Sequence, residues 1–183
     1  MNESNKSVYD TPTNVSETRR HILTILVDNE PGVLARVIGM FSGRGYNIDS
    51  LNVAEVNNQH LSRITIVTQG TNEVLEQIQT QLMNIVPVHS VTNLQTEGSA
   101  VEAEVALVYM DIDERNRKNA YQICDFYRAR RIENEHNSII FEIAGASQRI
   151  DAFIKDISEI AQIEIVRSGP VAISSMIEDK EKS

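Results

Sequence analysis

The sequence predicts an α+β fold of two tandem ferredoxin-like (βαββαβ) domains. Three observations carry the prediction. Between residues 20 and 95 the apolar pattern alternates between strand and helix periods in the order βαββαβ. The same order returns over residues 102–175, where Val105-Ala-Leu-Val-Tyr-Met-Asp111 answers Ile22-Leu-Thr-Ile-Leu-Val-Asp28 at an offset of 83 residues (105 − 22). A small, polar stretch separates the two copies, and residues 96–101 are read as a linker.

In the first copy, His21 to Val27 is an apolar run broken only by Thr24, read as a strand covered on both faces. Asp28-Asn-Glu-Pro-Gly32 is a polar turn. A helix follows, with Val33, Leu34, Val37, Ile38 and Phe41 on one face; Pro31 stands at or near its first position, and Asn29 or Glu30 can cap it. Gly43 and Gly45 end the helix. Ile48 to Val56 and Leu61 to Gln69 read as strands joined by the turn Asn57-Asn-Gln-His60. Thr71 caps a second helix whose apolar face is Val74, Leu75, Ile78, Leu82 and Ile85; Pro87 stops it, and Val88 to Gln95 is the fourth strand.

In the second copy, the strand Val105 to Asp111 leads to a helix predicted over Asp113 to Ala129, with Ala120, Ile123, Cys124 and Tyr127 inward. Ile132 to His136 and Ile139 to Ala144 form a strand pair. Ser147 caps a helix bearing Ile150, Phe153, Ile154, Ile157, Ile160 and Ala161. Ile163 to Val166 closes the unit, and Arg167-Ser-Gly-Pro170 ends it. Each unit places two helices on one sheet face, so the bare face and the edge strands need a partner, and a homodimer is expected. Residues 1–19 are read as a polar disordered tail and 176–183 as a charged one.

The formal net charge is −9, with 17 Lys+Arg against 26 Asp+Glu. That balance argues against nucleic acid or an anionic membrane as the main partner. The RNA-recognition motif shares the βαββαβ order but needs stacking aromatics on its third strand. Here Leu61-Ser-Arg-Ile-Thr-Ile66 has none and Ser138-Ile-Ile-Phe-Glu-Ile143 has one. Cys124 is the single cysteine, so no intrachain disulfide forms; this fits a reducing cytoplasm, and Cys124 reads as a core residue. No stretch reaches transmembrane length, and the amino terminus lacks the apolar segment of a secretory signal.

Little in the chain resembles an active site. His21, His60, His89 and His136 are scattered, and no metal-ligand spacing is present. Gly39, Gly43 and Gly45 lie inside and after a helix, where a phosphate loop does not sit. The acids Asp111, Asp113 and Glu114 and the bases Arg128, Arg130 and Arg131 are what helix dipoles favour at the two ends of a helix. The informative place is the start of the first helix. Gly32 removes a side chain where unpaired backbone amides point outward, a setting for a small anion such as a carboxylate. An ordinary capped turn is the alternative on the residues alone.

The run Asn29-Glu-Pro-Gly-Val-Leu-Ala-Arg-Val-Ile-Gly-Met-Phe-Ser-Gly-Arg-Gly-Tyr-Asn-Ile-Asp-Ser-Leu51 resembles the first ACT domain of acetolactate (acetohydroxyacid) synthase small subunits. The likeness continues through Leu61-Ser-Arg63 and Gln77 to Leu82, and into the second domain at Asp151-Ala-Phe153 and Arg167-Ser-Gly169. The long amino-terminal tail departs from the family pattern.

The resemblance implies a non-catalytic, cytoplasmic regulatory subunit. Its partner would be the thiamine-diphosphate-dependent large subunit, which it would activate and make sensitive to valine or another branched-chain amino acid. Thiamine diphosphate, Mg2+ and FAD would belong to that subunit, with no cofactor in this chain. Effector binding falls on Asn29, Gly32, Val33, Leu34, Asn47 and Ile48, the last two across a dimer seam. Ala35 and Ala54 fall on positions that set effector sensitivity. A stand-alone amino-acid-sensing ACT protein is the alternative within the same resemblance.

Overall fold

The computed structural model describes residues 17–95, 100–133 and 137–175. Most of the predicted tails, residues 96–99 of the linker and His136 lie outside the described residues.

The first unit runs β1 (Arg19–Asp28), α1 (Val33–Gly43), β2 (Ser50–Glu55), β3 (Leu61–Gly70), α2 (Asn72–Met83) and β4 (Val88–Asn93). Its sheet has the order β2-β3-β1-β4, all antiparallel. Strand side chains alternate between faces. Leu23, Ile25 and Val27 of β1 and Ile64 and Ile66 of β3 therefore face the helices, where Val37 and Phe41 of α1 and Leu75, Ile78 and Leu82 of α2 close the core. The Thr71 hydroxyl caps α2 by accepting from the Val74 amide at 3.4 Å.

The second unit runs β5 (Ala100–Asp111), α3 (Arg117–Phe126), β6 (Arg130–Glu133), β7 (Ser138–Gly145), α4 (Ser147–Ser158) and β8 (Ile163–Arg167). The sheet order is β6-β7-β5-β8. Val108, Met110, Phe141 and Ile143 meet Ala120, Cys124, Ile150, Phe153 and Ile157 in its core. Phe153 stands edge-on to both Tyr127 and Phe141, at 5.5 and 6.0 Å between ring centres. Cys124 is buried there, and burial raises its thiol pKa, as expected of a packing residue.

Three local predictions are corrected. The helix expected from Asp113 starts only at Arg117. Asp113 Oδ1 accepts from the Arg115 and Asn116 amides at 2.8 and 2.9 Å, so a side-chain turn competes with the helical bonds. Ser147 does not cap α4: it is the first helical residue, Ala146 occupies the cap position, and no side chain bonds there.

The chain also does not end its structure at Gly169-Pro170. Gly169 takes φ +72°, the chain reverses, and β9 (Val171–Ser174) pairs with Ala100–Ala103 at the start of β5. This pairing joins residues about seventy positions apart, beyond the reach of local pattern.

The β5–β9 ribbon lies on the sheet face of the first unit that carries no helix. Ala172 joins Ile22, Val67 and Leu94 in a small buried cluster. Arg20 Nη2 donates to Glu102 Oε2 at 2.8 Å, and Asn52 Nδ2 donates to the Pro170 carbonyl at 3.0 Å. Arg167 bridges the buried Glu104 and, at 2.5 Å, Asp151. Part of the face expected to await another molecule is thus covered by the chain itself. The corresponding face of the second sheet leaves Val105, Leu107, Tyr109 and Val166 exposed.

Candidate binding site at the start of the first helix

The turn that enters α1 is fixed by backbone and side chain together. Asn29 N–H donates to the His60 carbonyl at 2.7 Å, and Asp28 N–H to the Pro87 carbonyl at 3.2 Å. Asn29 Nδ2 donates to Glu55 Oε1 and to the Gln59 carbonyl, both at 3.0 Å. Asn29 therefore does not cap the helix, and neither does Glu30: Gly32 is the cap residue, and no side chain bonds the first turn. Pro31 consequently precedes the helix and belongs to the turn.

Gly32 adopts φ +87°, a left-handed conformation open to glycine at little cost. A Cβ built there meets nothing within 4 Å. Val33 N–H reaches the Glu30 carbonyl at 3.4 Å, and the next bond of the helix is Arg36 N–H to the Gly32 carbonyl at 3.1 Å. The Leu34 and Ala35 amides lie between, in the turn where a helix has no internal acceptors. The result is two N–H groups without an internal acceptor at the positive end of the helix dipole, with open space where a Gly32 side chain would stand.

Two acidic groups are tied to this turn. Glu55 lies at the end of edge strand β2 and is tied to Asn29. Asp28 pairs with His89 Nε2 at 2.6 Å. An amide pair at the helix start and a carboxylate tied to the turn before it suit a ligand that carries a carboxylate and an ammonium together. Sequence reasoning missed Glu55. It is one of 26 acidic residues, and only the β2–β3 hairpin brings it to the helix start.

The other predicted site residues divide. Leu34 is half-buried against the core beside the open amides. Val33 is only 3% exposed and packs inward, so its side chain belongs to the core and not to the rim of the site. Ala35 is exposed on the first turn.

Asn47 and Ile48 lie at the opposite end of α1. The helix has 11 residues, which separates the two groups by roughly 16 Å along its axis. There Asn47 Nδ2 donates to Asp49 Oδ1 and its carbonyl accepts from Thr68 Oγ1, each at 2.6 Å. Within one chain the two halves of the predicted site do not meet. Ala54 is exposed on the sheet face opposite the helices, lining a groove with Arg63 and the β5–β9 ribbon, and not beside Gly32.

Among the described residues no group of three or more His, Cys, Asp or Glu is arranged to hold a metal ion, and no helix is long and apolar enough to cross a membrane.

Residues 23–90 match a family model described as the AHAS small subunit-like ACT domain, and residues 103–176 match one described as the small subunit of acetolactate synthase. The chain is 42% identical over 156 residues to the acetolactate synthase isozyme 3 small subunit of Escherichia coli, covering 85% of this chain and 95% of that one. It is 41% identical, with the same coverage, to the isozyme 3 small subunit of Salmonella typhimurium. The crystal structure of the acetolactate synthase small subunit from Thermotoga maritima superposes with a TM-score of 0.77 at 33% identity, over 86% of this chain and 98% of that one. Two family models in tandem, relatives similar over nearly their whole length and a shared fold lead to one conclusion: the chain belongs to the family of acetolactate synthase small subunits, with an ACT domain as its first unit.

Proposed function

We propose that this chain activates the large, catalytic subunit of acetolactate synthase and makes it responsive to a branched-chain amino acid, valine foremost. Thiamine diphosphate, Mg2+ and FAD belong to the large subunit in this reading. The observation that carries the effector half is the uncapped start of α1 at Gly32, where open amides and Glu55 offer complementary charge to the two ends of an amino acid.

The site is completed by a second copy. β2 is an edge strand, and an edge with unpaired backbone groups is a template for another strand. Antiparallel pairing of β2 with its counterpart about a twofold axis sets Ser50 of one protomer opposite Glu55 of its partner. Asn47 and Ile48, just before Ser50, then stand beside the partner's helix start, because Asn29 is bonded to Glu55. Leu34 and Ile48 supply apolar walls for a branched side chain. A ligand held across such a seam favours one arrangement of the two chains over another, and the large subunit responds to that difference.

The test is acetolactate formation from pyruvate by the large subunit, with and without this chain, repeated with valine, leucine and isoleucine. Stimulation by the chain and inhibition by at least one amino acid are expected. A large subunit indifferent to the chain refutes the reading.

A further inference from the structure

We propose a second small-molecule site in this chain, distinct from the helix start: the groove between the open face of the first sheet and the β5–β9 ribbon binds a short branched aliphatic acid without an amino group, of the α-keto acid class.

The groove encloses about 320 Å³, within the range of roughly 300–1,000 Å³ typical of small-molecule sites. Ala54 and Thr65 line it from the sheet; Val101, Ala103 and Val171 line it from the ribbon. No aromatic ring lines it, so it offers nothing for a nucleobase to stack on. Its short aliphatic side chains suit a branched hydrocarbon body.

One cation stands in it. Arg63 lines the groove from β3, and no carboxylate among the described residues lies within ion-pair distance of it. The other arginines facing the joint between the units are already engaged: Arg20 with Glu102, and Arg167 with Glu104 and Asp151. Arg63 thus has a guanidinium fork to offer a ligand carboxylate, the geometry arginine recognises best. Thr65 and Asn52 are the other polar residues that line the groove, and the Asn52 amide is already given to the Pro170 carbonyl.

The groove also contains no acidic residue. A zwitterion entering it would bring an ammonium group with no counter-charge, a desolvation loss without compensation. The helix start, with Glu55, has the reverse character. The two sites therefore divide amino acid from deaminated acid by the carboxylates that stand at the helix start and not in the groove. Strand pairing through the β2 edge lies in the plane of the sheet, while the groove lies on the face away from α1.

The ribbon is anchored by the Arg20–Glu102 pair and the Asn52–Pro170 bond. A ligand in the groove would touch both the sheet and the ribbon, and so fasten the second unit to the first.

The experiment is carbon-13 methyl NMR of alanine-labelled full-length chain, titrated separately with the α-keto analogue of leucine and with L-leucine. Saturable shifts of the Ala54, Ala103 and Ala172 methyls are expected with the keto acid. They should weaken about tenfold or more in Arg63→Gln, recover in part in Arg63→Lys, and persist in Gly32→Asp. L-leucine should instead move the Ala35 methyl at the helix start. The inference is overturned if the groove methyls do not respond to the keto acid, respond equally in Arg63→Gln, respond equally to leucine, or shift only with protein concentration as a second copy covers them. Because Gly32→Asp disables only the helix start, failure of one site is distinguishable from failure of the other.

Discussion

Gly32→Asp separates the binding role of the helix start from its structural role. Two costs follow from the geometry. The first is backbone strain: a non-glycine residue at φ +87° costs about 1–2 kcal/mol. No steric cost adds to it, since a Cβ there meets nothing within 4 Å. Against a typical domain stability of about 5–15 kcal/mol the variant stays folded.

The second cost falls on the ligand. The new carboxylate stands in front of the Leu34 and Ala35 amides, where the ligand carboxylate must sit. Two such charges about 4 Å apart repel by about 1 kcal/mol in bulk water and about 4 kcal/mol at the effective dielectric of a protein surface. That corresponds to roughly fivefold to a thousandfold weaker binding. Gly32→Ala carries the strain without the charge and should weaken binding by about threefold at most. Calorimetric titration of both variants with valine, beside melting curves, reads the two costs apart. Unchanged affinity in Gly32→Asp, or an equal loss in Gly32→Ala, refutes the carboxylate seat. Activation of the large subunit should survive in both variants, because the variants change only the helix start.

Two further predictions concern the joint and the second unit. In Gly169→Ala the residue is strained at φ +72°, and its Cβ runs into Ser50 Oγ and stands 3.1 Å from Ser50 Cβ. It should lose about 1–2 kcal/mol or more and speed hydrogen exchange in Val171–Ser174; Ser50→Gly added to it should restore part of the loss, and an additive double mutant would show that the two do not meet. Asp113 gives a pH test. Its carboxyl is held below the ordinary aspartate range, first by the Asn116 amide and then by that of Arg115. A depressed folded pKa means stability present at neutral pH and lost as the pH falls through the acid range. Asp113→Asn should therefore be less stable than the wild type at neutral pH and flatter between about pH 5 and pH 2 in denaturant melts; identical pH profiles would remove Asp113 from the account.

What the sequence determined is local. The apolar run from Ile22 to Val27, broken only by Thr24, marks a strand covered on both faces, and the helical spacing of Val37 and Phe41 fixes which side of α1 is buried. Gly32 likewise marks an open helix end, while its left-handed conformation and its place as the cap residue, in the stead of Asn29 or Glu30, appear only in the structure. Contacts between distant positions were decided by the tertiary structure. β9 exists only because Val171–Ser174 finds the start of β5. Glu55 joins the helix start only through the β2–β3 hairpin, and Ala54 and Arg63 come to share a groove with the ribbon on the far face of the same sheet. Strand pairing rewards residues far apart in the chain, and no window of sequence records which partner they will meet.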